Sequence, residues 1–125
     1  MLRDGAGVKR VIVVTDFTDL QQGIDSLAFI IQDQFRLVPL DKGTMFLFCG
    51  RWSDRIKGLF FEGDVYLLFY KRLAPGYRFH WPRNEQETRE LTYEQFEYLM
   101  KGFSPLQKGL PEGVTVASPL VGRTR

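Results

Sequence analysis

The apolar residues of this chain change period at Thr44, and that change limits the folds open to it. Upstream, Leu20, Ile24, Leu27, Ile31 and Phe35 follow at spacings of 4, 3, 4 and 4, which is one stripe along a helix. Thr18-Asp19-Leu20-Gln21 precedes the stripe as a capping-box pattern, and Pro39 closes the segment. Downstream the pattern is that of strands. Met45–Cys49 is uniformly apolar, as in a strand covered on both faces, and Arg55–Glu62 and Val65–Leu73 flank the turn pair Gly63-Asp64. Tyr77–Trp81 alternates, with Tyr77, Phe79 and Trp81 on one face and Arg78 and His80 on the other. Pro82 ends it, which suggests an edge strand.

Two further elements complete the pattern. Val11–Val14 reads as a short buried strand. Thr92-Tyr93-Glu94-Gln95 is a second capping box, with Leu91 and Phe96 placed as a hydrophobic staple and Phe96, Leu99, Met100 and Phe103 as the packing stripe. The expected fold is α+β: an antiparallel meander of four to five strands packed against two helices that cover one face. Residues 1–103 are expected to form a single domain and residues 104–125 a flexible basic tail without a hydrophobic period.

Composition excludes several function classes. With 44% hydrophobic residues and 18 aromatics (11 Phe, 5 Tyr, 2 Trp), the chain can fold without a metal or disulfide staple. Cys49 and His80 are its only soft ligands, too few for a structural zinc site, so no metal and no cofactor are expected. The opening residues, MLRDGAGVKR, lack an apolar leader core, and no apolar run reaches a membrane span. The expectation is a soluble, cytoplasmic protein without membrane contact.

Cys49 and His80 also fail as a nucleophile and base, because Cys49 sits in the apolar run MFLFC, where the thiolate is disfavoured. Asp16, Asp19, Asp25, Asp54, Glu62 and Asp64 each have a simpler role than metal catalysis, in a first helical turn, a solvent face, a turn or an ion pair. No catalytic residue is expected.

Charge is uneven although the net value is +2. Residues 51–83 carry 7 basic and 3 acidic groups, while residues 84–100 carry 1 basic and 5 acidic. In the basic block, Arg51, Trp52, Arg55, Lys57, Lys71, Arg72 and Arg78 mix cations with rings. This is the combination that meets phosphates and stacks on bases, and equally that of a wet strand face over an aromatic core.

The same block carries a family resemblance. Phe48-Cys49-Gly50-Arg51, Asp54-Arg55-Ile56-Lys57-Gly58-Leu59, Glu62-Gly63-Asp64 and Tyr70-Lys71-Arg72-Leu73 occur in order, with Thr18-Asp19-Leu20 and Gly23-Ile24-Asp25 upstream and Arg78-Phe79, Trp81-Pro82 and Glu90-Leu91-Thr92 downstream. Over roughly residues 8–103 the chain resembles the TnpB-type accessory protein of the sixty-six family of bacterial insertion sequences. It departs from that pattern at Trp52-Ser53 and at Phe61.

The resemblance implies a non-catalytic helper of transposition and DNA recombination, working beside a separate transposase. DNA-binding by Arg51, Trp52, Arg55, Lys57, Lys71, Arg72 and Arg78 is then expected. The alternative is an adaptor that meets the transposase without touching DNA, through the acidic residues Glu85, Glu87 and Glu90.

Overall fold

The computed structural model describes residues 7–83 and 87–105 of the chain. Five strands form one mixed sheet: β1 (Arg10–Phe17), β2 (Thr44–Cys49), β3 (Arg55–Phe61), β4 (Tyr66–Arg72) and β5 (Thr88–Leu91), in the order β4-β3-β2-β1-β5. Helix α1 (Ile24–Asp33) connects β1 to β2, and α2 (Tyr93–Met100) follows β5. The fold is α+β, as the change of period implied.

The meander expectation holds for β2, β3 and β4, which pair antiparallel in sequence order. It needs correction beside them. β1 runs parallel to β2, because α1 carries the chain back across the sheet before β2 begins. The fourth downstream strand is Thr88–Leu91, antiparallel to β1, and not Tyr77–Trp81.

Residues 77–81 have the alternation of a strand but pair with none. Phe79 and Trp81 are buried in the core, the Phe79 amide donates to the Ser53 carbonyl at 2.7 Å, and the Trp81 indole Nε1 donates to the Val14 carbonyl at 2.9 Å. The segment therefore lies across a face of the sheet, its rings used as packing.

The helices lie on opposite faces, not on one. Ile12, Val14, Phe46, Phe48 and Leu59 meet Leu27 and Ile31 of α1. Val11, Val13, Met45, Leu47, Cys49, Ile56 and Phe60 meet Phe96 and Leu99 of α2, together with Phe79 and Trp81. Strands β1 and β2 read as continuous apolar runs because both of their faces are covered.

The two capping patterns have different fates. At α2 the Thr92 hydroxyl accepts from the Gln95 amide at 3.0 Å and the Gln95 side chain accepts from the Thr92 amide at 2.8 Å, a complete capping box. The helix ends in a Schellman motif. Gly102 takes φ of 97°, its amide donates to the Leu99 carbonyl, and Phe103 donates to that of Tyr98.

At α1 the expected box does not form. The Thr18 amide donates to the Cys49 carbonyl, and the Asp19 carboxylate accepts from the Gln21 amide at 3.0 Å. That makes an Asx-type turn, and the helix begins only after Gly23. The expected tail from residue 106 onward lies outside the described residues. Among the described residues, no helix is long and apolar enough to cross a membrane.

Candidate nucleic-acid interface

The hairpin β3–β4 sorts the basic residues by strand alternation. Its pairs are Arg55 with Arg72, Lys57 with Tyr70, Leu59 with Leu68 and Phe61 with Tyr66 on the α1 side. On the α2 side are Ile56 with Lys71, Gly58 with Phe69 and Phe60 with Leu67. Three of the expected contact residues, Arg55, Lys57 and Arg72, thus share one face, and Lys71 goes to the other.

Arg55 and Arg72 face each other directly, an arrangement that repels. Asp54 relieves it. The Arg55 guanidinium donates to both Asp54 carboxylate oxygens, at 3.1 and 3.2 Å. This bidentate bond, aided by the positive field of Arg72, holds the Asp54 carboxyl below the usual carboxylate range. Lys57 bridges to the helical layer, its ammonium donating to the Gln22 carbonyl at 2.8 Å and standing 5.9 Å from the Tyr70 ring centre.

The loop between β2 and β3 supplies the other half of the site. Gly50 and Arg55 are joined across it by the Gly50 amide and the Arg55 carbonyl at 3.1 Å. Arg51 lays its guanidinium 4.1 Å from the centre of the Phe17 ring, a cation–π contact that holds the charge at the surface. Trp52 is 64% exposed, Tyr70 50% and Phe17 47%. These rings and Arg51 border a cleft of about 540 Å³ that also touches the Thr18–Gln21 turn, Asp54 and Arg55.

Arg83 builds this loop, and sequence reading missed it. Its guanidinium donates to the Gly50 carbonyl at 2.6 Å, the Ser53 hydroxyl at 3.0 Å and the Thr15 carbonyl at 3.3 Å. Ser53 takes φ of 62°, a left-handed conformation costly for a residue with a Cβ, and Arg83 grips it there. Position alone gave no signal, since the partners of Arg83 lie more than 29 residues upstream.

Other expected residues stand apart. Lys71 is half-buried between α2 and the covering segment, its ammonium 3.4 Å from the Met100 carbonyl and 5.8 Å from the Phe79 ring centre, and burial lowers its pKa. Arg78 is exposed on the outer side of the segment that carries Phe79. Of the acidic trio, Glu90 is engaged with Arg10 through two oxygens at 3.2 Å, Glu87 is exposed with its backbone carbonyl bound by Thr15, and Glu85 lies outside the described residues.

The chemistry set aside at the outset finds no better geometry. Cys49 is fully buried and burial pushes its thiol up to about 12, with the nearby Arg83 only partly opposing this, while His80 is exposed. Among the described residues no three His, Cys, Asp or Glu side chains converge as a metal site would require.

Residues 9–109 match the family described as IS66 Orf2 like protein. The chain is also 39% identical over 102 residues to the uncharacterized protein y4hO of Sinorhizobium fredii (strain NBRC 101917 / NGR234), covering 82% of this chain and 86% of that relative. No solved structure matches it. The family match spans the whole sheet and both helices and ties the chain to an accessory role in insertion-sequence transposition; the protein belongs to the IS66 Orf2-like family.

Proposed function

We propose that this accessory protein is non-catalytic and binds DNA, by itself or together with the element's transposase, through the α1-side face of β3–β4 and the Gly50–Asp54 loop. One observation carries the reading: Arg51, Arg55, Lys57 and Arg72 gather around the exposed rings of Trp52, Tyr70 and Phe17 on a single surface. The cations meet phosphates, and the rings pack on sugars or stack on unpaired bases. Arg51 and Arg72 make the primary phosphate contacts, because Arg55 is shared with Asp54 and Lys57 with a backbone carbonyl.

Fluorescence anisotropy with labelled duplex and single-stranded oligonucleotides across a salt series tests this. Three to four phosphate contacts correspond to a slope of log affinity on log salt of roughly −3 to −4, at about 0.9 per phosphate on duplex. A flat salt response would reject direct DNA binding. Joint replacement of Arg51, Arg55 and Lys57 by Ala should sharply weaken the binding seen by anisotropy and lower element mobility with it.

A protein-only adaptor is the rival, docking on the transposase through the acidic residues around Glu87. Glu90 offers little free charge to such a partner, being already bound to Arg10. Co-purification with transposase from nuclease-treated lysate, retained in the triple Ala variant, would favour the adaptor.

A further inference from the structure

Strand β4 is the outer strand of the sheet, and among the described residues nothing pairs with its free edge. Most edge strands are short, bulged or interrupted by proline, which discourages pairing with another chain. β4 has none of these, and its only charged residues, Lys71 and Arg72, stand at its C-terminal end. It runs seven residues, YLLFYKR, in unbroken register with β3.

The hydrogen-bond parity of that edge can be read from its two ends. The Leu73 amide donates to the Asp54 carbonyl, and the Glu62 amide donates to the Val65 carbonyl. Bonded and non-bonded pairs alternate along an antiparallel ladder. The odd-numbered residues of β4 therefore bond to β3, and the peptide groups of Tyr66, Leu68, Tyr70 and Arg72 point outward.

The charge of the edge is polar along its length. Glu62 and Asp64 precede it, and Lys71 and Arg72 end it. A strand of that kind complements an antiparallel copy of itself, acid end against basic end.

We propose that two copies of this chain join through antiparallel pairing of their β4 edges, with the two-fold axis at Leu68. In that register Leu68 faces Leu68, Tyr70 faces Tyr66 and Phe69 faces Leu67, each unlike pair occurring twice, and Arg72 of each copy comes beside the Gly63-Asp64 turn of the other. The outward peptide groups at 66, 68 and 70 meet their counterparts. Centring on Phe69 also satisfies the parity, but places Arg72 opposite Tyr66 and Lys71 opposite Leu67. Charge selects Leu68.

Because facing residues share a face of the sheet, the two α1 sides lie on the same side of the joined sheet. The pairing does not depend on DNA binding; it would bring two copies of the Arg51, Arg55 and Lys57 cluster to one side of the joined sheet, with Arg72 engaged at the seam. Two-fold, self-complementary contacts are the commonest route to homodimers.

Sedimentation or light scattering of the full chain without nucleic acid tests it. The wild type should run at twice its 14.5 kDa mass. Asp64→Arg and Arg72→Asp should each weaken the dimer roughly ten-fold or more, since each sets like charges beside one another twice. The double exchange should restore it, which no folding defect would do. Tyr70→Pro removes an outward amide and a half-exposed ring rather than a core side chain, and should give a folded monomer, checked by circular dichroism. A monomeric wild type, or a dimer indifferent to both single exchanges, overturns the proposal.

Discussion

The two faces of the β3–β4 hairpin differ in everything except their source. On the α2 side Ile56, Gly58, Phe60, Leu67, Phe69 and Lys71 are packed under a helix and an extended segment. On the α1 side, α1 reaches only as far as Leu59, Tyr66 and Leu68, and the end bearing Arg55, Lys57, Tyr70 and Arg72 is left open. Lys71 and Arg72 are neighbours in the chain, yet one spends its charge on the Met100 carbonyl and the other keeps it at the surface. A basic cluster in sequence is therefore two populations in space. Only one of them is available to a polyanion.

The contrast can be broken most directly by truncating a ring on each face. Phe60→Ala should cost about 3–5 kcal/mol in urea unfolding, whereas Tyr70→Ala should cost less than about 1 kcal/mol. Equal losses would mean that the α1-side end is core after all. Gly58→Val should cost roughly 1–3 kcal/mol, because any Cβ there enters the Phe69 ring on the opposite strand.

Arg83→Ala should lower stability by about 1–2 kcal/mol by stranding the Gly50 carbonyl and loosening Ser53. It should also weaken oligonucleotide binding without removing a phosphate contact, leaving the salt slope unchanged. Arg51→Ala and Arg72→Ala should each reduce that slope by about 1, and Lys71→Ala should leave it alone. A drop with Lys71→Ala would undo the division of the two faces.

Cys49 gives the smallest effect at neutral pH. Its folded pKa lies above the unfolded one, so its contribution is intact below about 9 and is lost as pH rises toward about 12. Maleimide labelling should follow global unfolding at pH 7.

What could be read beforehand was what depends on neighbours in the chain. The Thr92 box and the β2–β3–β4 meander follow from contiguous residues, and both appear as expected. Thr18-Asp19-Leu20-Gln21 has the letters of a cap, but Cys49, 31 residues away, takes the Thr18 amide and turns the segment to another use. Alternation at 77–81 set Tyr77, Phe79 and Trp81 on one face; Phe79 and Trp81 are buried, across a sheet rather than within one, while Tyr77 is exposed. Thr88–Leu91 carries a single buried residue and no strand signature, and it is a strand because β1 offers it an edge. For the candidate site, the alternation separating Lys71 from Arg72 was present in the letters, while the Arg83 clamp required the fold.

The β1–β5 ladder has a consequence for how the protein is made. Val11 pairs with Leu91, far downstream in the chain, so one flank of β1 stays open until β5 has been made. The parallel neighbour β2 arrives much sooner. The nascent chain thus carries an unsealed seam that closes only when β5 and the α2 cap emerge. Pausing or truncation before Leu91 would leave apolar Val11 and Val13 without their final cover, and expression yield should be most sensitive there.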